Sequence, residues 1–373
     1  MRIVVDLTSL ADNFSGIERY ALNISEQLIN LDKKNTYIIF FKNNIHKDLL
    51  KYKENKNVEF KIINGGNKLI FNQVILLKEL FKIKADKYLF MAFPSPLLFR
   101  KAGIINTIHD LTPWDYPGTM KFASRSYFKA SIRNAIKVSE KIITVSEFSK
   151  NRIIDKFRIK EVDIIYNGVS DVFLKASENL NFKLDNKISK KYNLPDKYIM
   201  CLCTLEPRKN IELLVESYIE LRKKNKIDLK LVLVGRKGWK VDKLLSNINE
   251  NYSKDIIVTG FVDDDDLPQI YIGAKCFVFP SLYEGFGIPI IEAMSLGVPV
   301  ITSNTSSLPE VVGDCGLLFI NNNKDDLQLK IREFINMKMQ EVEDLSLRSK
   351  ERAKRFNWKI EAHKLIKILQ ENR

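Results

Sequence analysis

The chain has 373 residues, too many for one ordinary core and enough for two domains of usual size. At 45% hydrophobic and 28% charged, with no low-complexity tract, it is neither disordered nor fibrous. No run approaches the ~18 apolar residues of a spanning helix. Met1-Arg2-Ile3-Val4-Val5-Asp6 enters a strand pattern directly, so no secretory signal is expected and a cytoplasmic location is. The net charge of +14 is uneven: residues 1–175 hold 29 Lys/Arg against 18 Asp/Glu, and the remainder 31 against 28. A basic first half predicts an anionic partner there, whether nucleic acid, membrane surface or phosphorylated substrate, with general solubility as the plainer account.

In chain order, strands are predicted at 2–7, 36–41, 87–93, 104–109, 141–145 and 162–166, with helices at 17–31 and 121–138 between them. Gly16 lies in the turn from the first strand to the first helix, where a missing side chain lets backbone approach a ligand. Thr107-Ile108-His109-Asp110-Leu111-Thr112-Pro113-Trp114 ends the fourth of these strands. Of three histidines, only His109 stands at such a strand end, with Asp110 beside it. Lys121, Arg125, Lys129, Arg133, Lys137 and Lys141 recur every fourth residue among Phe122, Tyr127 and Phe128. That spacing winds slowly around a helix as a basic ridge, either a solvated face or a contact for anionic phospholipid.

Residues 176–197 are polar and weakly periodic, and are read as a linker. The plan then repeats, with strands at 198–204, 229–235, 256–261, 276–280 and 299–302. Helices are predicted at 211–224, 241–251, 267–274 and 289–296. Such alternation argues for two doubly wound parallel sheets of the α/β class, Rossmann-like and facing each other, with ligands at the strands' carboxyl ends. The expected division is 1–175 for the first domain and 198–355 for the second. A C-terminal helix over 356–373 is expected to pack back on the first domain.

Two loops of the second half carry chemistry. Cys203-Thr204-Leu205-Glu206-Pro207-Arg208-Lys209-Asn210 puts two cations at a strand end ahead of a helix, a place suited to a pyrophosphate. Tyr283-Glu284-Gly285-Phe286-Gly287-Ile288-Pro289-Ile290-Ile291-Glu292 puts two glycines beside a helix N-terminus, with glutamates before and within that helix. Free N–H groups there suit an anionic or hydroxyl-rich ligand. Asp263-Asp264-Asp265-Asp266 contains D-x-D, yet its place before a helix favours capping over metal binding. Cys201, Cys203, Cys276 and Cys315 lack the spacing of a zinc site and are read as reduced core thiols.

Residues 279–292 resemble the donor-site signature of glycosyltransferase family 4, whose members are retaining enzymes of the GT-B fold. Gly297-Val298-Pro299-Val300-Ile301 and the stretch from Leu308 to Gly316 continue that likeness in register. The resemblance implies a glycosyltransferase using a nucleotide-sugar as co-substrate, with no cofactor and no metal. It implies that Arg208 and Lys209 steady the departing diphosphate, and that Glu284, Gly285, Phe286, Gly287 and Ile288 hold the sugar. Glu292 would take the ribose, backbone near Val262 the base, and Thr204 and Gly16 would line the donor. His109 would contact the transferred sugar and Asp110 face the acceptor. Many members carry Arg where this chain has Thr204 and an acid where it has Arg208, so Lys209 matches directly and Arg208 only a subgroup. That subgroup's likeness to mannosyl- and rhamnosyltransferases of bacterial surface polysaccharides makes GDP-mannose the first donor to test. The acceptor would be a saccharide or lipid-linked saccharide at an anionic membrane face. A nucleotide-sugar epimerase and a non-catalytic binding protein are the rival readings. An epimerase needs no acceptor, and a binding protein has no need to keep His109, Lys209, Glu284 and Glu292 together. No nucleic-acid-binding module accompanies the charge.

Overall fold

A computed structural model describes residues 1–10, 16–179 and 181–371. The chain divides into two compact units, the first comprising residues 1–168 with 357–373 and the second residues 169–356.

The first unit is built on a seven-stranded, wholly parallel sheet. Its strands are β1 (Arg2–Asp6), β2 (Thr36–Lys42), β3 (Val58–Ile63), β4 (Lys87–Phe90), β5 (Ile104–Thr107), β6 (Lys141–Thr144) and β7 (Asp163–Ile164). They lie in the order β3-β2-β1-β4-β5-β6-β7, so chain direction across the sheet reverses beside β1. Central strands such as Ile3–Val5 and Tyr37–Phe41 are buried along their whole run, the pattern of a sheet covered on both faces. On one face Val4, Ile38, Phe40, Tyr88, Phe90 and Phe99 form one apolar cluster with Phe71, Leu76 and Leu80. The helix Gly16–Leu31 buries Tyr20, Ile24 and Leu28 at four-residue spacing. The last helix, Trp358–Gln370, packs against it, with Tyr20 and Trp358 in edge contact at 6.0 Å.

The second unit carries a six-stranded parallel sheet: β8 (Tyr198–Leu202), β9 (Lys230–Val234), β10 (Ile256–Gly260), β11 (Cys276–Phe279), β12 (Val300–Ser303) and β13 (Leu317–Phe319). The order β10-β9-β8-β11-β12-β13 reverses beside β8 in the same way. The four cysteines are buried and unpaired. Residues 176–197, expected as a linker, include the end of the helix Asp171–Glu178 and the whole helix Asn186–Lys191, and belong to this unit. Their polar surface had concealed anchors such as Ala176, Tyr192 and Leu194, which are buried.

Candidate functional site

In the second unit, the loops leaving the carboxyl ends of β8 and β11 are tied to each other. After β8, Pro207–Lys209 make one 3-10 turn, and Asn210 in a left-handed conformation (φ 54°) starts the helix Ile211–Lys223. Arg208 and Lys209 therefore precede the helix rather than occupying its first turn. The Leu282 N–H donates to the Arg208 carbonyl (2.9 Å), joining the two loops through backbone. Arg208 Nη1 donates to the Tyr283 carbonyl (2.8 Å) and to Glu284 Oε2 (3.0 Å), and its Nη2 donates to Glu206 Oε1 (3.1 Å). Lys209 Nζ meets Glu284 Oε1 at 2.5 Å and stands 5.5 Å from the centre of the Phe279 ring. Two cations thus share one buried carboxylate.

Burial alone would push the Glu284 carboxyl up, but the charges of Lys209 and Arg208 prevail and hold it at about 2. The backbone around it is equally fixed. The Glu284 N–H donates to Ser306 Oγ (2.9 Å), and Ser307 Oγ donates to the carbonyls of Glu284 (3.1 Å) and Phe286 (2.8 Å). Gly287, at φ 110°, caps the helix Ile288–Ser295, and a Cβ there would stand 3.0 Å from Leu308 Cδ2. The backbone angle strongly favours glycine, and a side chain there would also have to displace Leu308 slightly. Gly285 and Phe286 are buried and Ile288 half-buried at this helix start. Glu292 is buried one turn further on, where the Tyr271 hydroxyl donates to it at 3.3 Å.

A third loop, not singled out in the sequence, lies against the first. Gly235 follows β9, and a Cβ on it would stand 1.9 Å from the Cys203 carbonyl oxygen; one on Gly238 would stand 2.3 Å from that of Leu205. Only a glycine-flanked loop fits so close, and it carries Arg236 and Lys237. Arg236 lies over the Phe261 ring at 5.5 Å, beside buried Val262. The legible signal was Gly-Arg-Lys-Gly at a strand end. Thr204 is exposed in this neighbourhood.

Asp263 and Asp266 do not cap the following helix through their side chains; Asp266, its N-cap, makes no side-chain capping bond. Lys191 Nζ instead bridges Asp263 (2.8 Å) and Asp266 (2.7 Å), and the Tyr192 hydroxyl donates to Asp266 (2.8 Å). These acids bind residues of the segment read as a linker, which that reading left without contacts. Among the described residues no group of three or more His, Cys, Asp or Glu side chains is placed to hold a metal ion.

In the first unit, His109 follows β5 and its Nε2 lies 2.8 Å from the Met91 carbonyl. A carbonyl only accepts, so Nε2 carries the proton and Nδ1 is the acceptor nitrogen of the neutral ring. Burial pushes the imidazole pKa down, against the upward pull of that carbonyl and of the charges on Asp110 and Glu18. The ring also meets the edge of Tyr20 at 5.1 Å. Asp110 Oδ1 accepts from the Thr112 N–H (2.8 Å) at the start of the helix Thr112–Asp115. Its carboxylate shapes the turn after β5. Gly16 opens the helix Gly16–Leu31, and the rest of its expected turn, residues 11–15, lies outside the described residues.

The basic ridge is shorter than its spacing suggested. The helix is Phe122–Val138, and Lys141 belongs to β6, where it pairs with Glu371 at 3.0 Å. Tyr127 and Phe128 turn toward the domain: the Gln73 amide donates to the Tyr127 hydroxyl (2.9 Å), and Phe128 meets Phe93 at 6.0 Å. Only Phe122 of the three aromatics is strongly exposed, at 73%.

Comparison with known proteins agrees with this architecture. The family model described as Glycosyltransferase Family 4 matches residues 14–172, and the one described as Glycosyl transferases group 1 matches residues 184–356. O-antigen chain mannosyltransferase B of Escherichia coli is 30% identical over 395 residues, covering 98% of this chain and 100% of that protein. O-antigen chain mannosyltransferase RfbU of Salmonella typhimurium is 26% identical over 256 residues, covering 68% of this chain and 65% of its own length. The crystal structure of Anabaena HepE in complex with UDP and glucose superposes with a TM-score of 0.73 at 16% identity, over 99% of both chains, a likeness of fold. With two Rossmann-like sheets, both halves matched by glycosyltransferase models and a 30% identical relative matched from end to end, the chain belongs to glycosyltransferase family 4 and is a glycosyltransferase.

Proposed function

We propose that this enzyme transfers mannose from GDP-mannose, with retention of anomeric configuration and without a metal ion, to a saccharide or lipid-linked saccharide in the synthesis of a bacterial surface polysaccharide. The observation that carries the reading is the pair Arg208 and Lys209, held by Glu284 at the carboxyl end of β8. Charge develops on the diphosphate as the glycosidic bond breaks. Fixed cations stabilise that charge more than they stabilise the bound donor, which is what accelerates the step. They do the work a divalent ion does in enzymes built on a D-x-D, and the acids Asp263 and Asp266 are engaged elsewhere.

Retention needs either a covalent nucleophile or attack on the face the leaving group departs from. Glu284 is the acid nearest the sugar-binding loop, but a carboxylate held at about 2 between two cations is a weak nucleophile and a weak base. Same-face attack fits better, with the acceptor hydroxyl losing its proton to the departing phosphate. Glu284 would then act by holding both cations in place, and the Phe286 and Gly287 amides by holding the sugar. Neutral His109 offers a hydrogen bond to the sugar without adding charge. The mannosyl donor and the polysaccharide setting are supported by the names of the two relatives above.

A panel of nucleotide-sugars, read by thermal stabilisation and by slow donor hydrolysis, tests the donor. GDP-mannose should give the largest shift and hydrolyse to GDP and mannose, and EDTA should leave the rate unchanged. A larger response to UDP-glucose overturns the mannosyl assignment. Release of an altered nucleotide-sugar instead of free sugar returns the epimerase reading.

A further inference from the structure

Gln73 is the meeting point of three segments of the first unit. Its carbonyl accepts from the Leu97 N–H (2.9 Å), and its amide donates to the Tyr127 hydroxyl (2.9 Å). The segments joined there carry Leu69, Ile70 and Val74 in the helical stretch after β3, Leu98 in the loop after β4, and Phe122 at the start of the helix Phe122–Val138. They are 56%, 57%, 45%, 70% and 73% exposed, large apolar side chains whose exposure water alone does not favour.

The charge around them is one-sided. Residues 60–78, 87–109 and 116–139, the segments that meet here, contain no Asp or Glu, and carry three, three and five Lys/Arg. Some of these cations are engaged within the domain: Lys61 pairs with Glu79, Lys87 with Glu140, and Lys101 donates to carbonyls ending the helix Leu77–Lys82. Lys68, Lys121, Arg125 and Lys129 have no acidic partner among the described residues. Three of them set the charged group itself over an aromatic ring, Lys68 Nζ over Phe93 (4.7 Å), the Arg125 guanidinium over Phe122 (5.2 Å) and Lys129 Nζ over Trp114 (5.6 Å), so charge and aromatic surface lie side by side.

We propose that this surface docks the enzyme on an anionic lipid bilayer, with Leu69, Ile70, Val74, Leu98 and Phe122 entering the headgroup boundary and Lys68, Lys121, Arg125 and Lys129 paired with lipid phosphates. A second copy of the chain is a poor occupant, since self-pairing sets two acid-free cationic faces against each other. Nucleic acid offers the charge but has no use for exposed aliphatic side chains. The surface also lies at the strand end that bears His109, because β3, β4 and β5 are parallel and these loops leave their carboxyl ends. A lipid-linked acceptor held in that bilayer would reach the same end of the sheet.

The test is sedimentation with vesicles of phosphatidylcholine alone and of phosphatidylcholine with phosphatidylglycerol. No donor or acceptor is present, so its failure leaves the transferase reading standing, and failure of that reading leaves docking standing. The native protein should bind only the anionic vesicles, and less as salt shortens the range of the attraction below about 8 Å. Lys68→Glu with Lys121→Glu and Arg125→Glu should weaken partitioning by on the order of a hundredfold or more, at roughly fivefold for each cation lost. Ile70→Ser with Val74→Ser and Phe122→Ser should weaken it about tenfold with an unchanged melting temperature, whereas Met339→Ser with Leu347→Ser, exposed apolar positions of the second unit, should bind as the native protein does. Native-like binding by the apolar variant, equal binding to neutral vesicles, or no binding accompanied by dimerisation that the apolar variant abolishes would each overturn the proposal.

Discussion

The two units share a plan, a parallel sheet that reverses beside its first strand, and equip it in opposite ways. At the strand ends of the second unit, charge is concentrated and neutralised within the protein: Arg208 and Lys209 share Glu284, and Glu206 takes the outer guanidinium nitrogen. At the matching end of the first unit stands His109, neutral and donating to the Met91 carbonyl, with Asp110 occupied in the turn. Ion pairs already assembled need little reorganisation when a diphosphate arrives, because the cations hold their places before it binds. A neutral imidazole contributes orientation without charge, which suits contact with an uncharged sugar. On the proposed function, leaving-group stabilisation falls to the second unit and sugar or acceptor placement to the first.

The sharpest way to break that assignment is Lys209→Ala. Removing one preorganised charge from a developing anion typically costs 10²–10³ in turnover, and a loss of about that size is expected. Glu284→Gln should fall in the same range for a different reason: it leaves two cations sharing no carboxylate and loosens both loops. Because the Glu284 carboxyl sits at about 2, below the ordinary 4.5, its contribution to stability is fully present above pH 4.5 and disappears as pH falls toward 2. The stability difference between native and Glu284→Gln should therefore be constant from pH 5 to 8, as urea titrations can measure. A Lys209→Ala enzyme as fast as the native one would move the chemistry out of these loops.

His109 should give a smaller effect with a different pH signature. His109→Gln is expected to lower turnover about tenfold, the scale of a neutral hydrogen bond. Its folded pKa lies below the ordinary 6.5, so the unfolded chain takes up the proton first, and stability conferred by the neutral ring is full above pH 6.5 and is lost as pH falls through the folded value. Native protein should lose stability relative to His109→Gln between pH 7 and 5. The opposite slope would mean that the ring is charged in the fold, and the contrast between the units would vanish.

What the sequence disclosed follows from what was buried. Strands such as Tyr198–Leu202 and Cys276–Phe279, buried along nearly their whole length, read as unbroken apolar runs and fell within a residue or two of their observed ends. The strands that went unread, Val58–Ile63 and Leu317–Phe319, each lie at one edge of their sheet; Glu59 and Lys61 interrupt the apolar run of the first, and the second is only three residues long. Arg208, Lys209 and Glu284 were legible one by one, because strand ends and glycine turns mark themselves. Their mutual pairing was not, since 75 residues separate Lys209 from Glu284 and only the adjacency of β8 and β11 brings them together. The same reason hid the serines 306 and 307 that brace the loop carrying Glu284, and the tie of Asp263 and Asp266 to Lys191.

That last tie gives the smallest expected effect, and it limits the comparison by showing which charges of the second unit do not belong to its site. The Lys191 bridge to Asp263 and Asp266 is exposed, and surface pairs of this kind contribute little and weaken with salt. Asp266 is the more sheltered acid; burial pushes its carboxyl up, and the bonds from Lys191 and Tyr192 overcome that to bring it below the ordinary 3.8. Asp266→Asn should thus lower the melting temperature slightly at neutral pH. The deficit should shrink in high salt and close as pH falls below 3.8, where the native acid also becomes neutral. Turnover should be unchanged in Asp266→Asn and in Asp265→Ala, with or without EDTA. A catalytic metal held by these aspartates predicts the reverse: near-native melting, activity lost in either variant, and native activity removed by EDTA and restored by manganese. That outcome would transfer leaving-group stabilisation from Arg208 and Lys209 to an ion, and would leave the charge-compensated cluster as a structural brace.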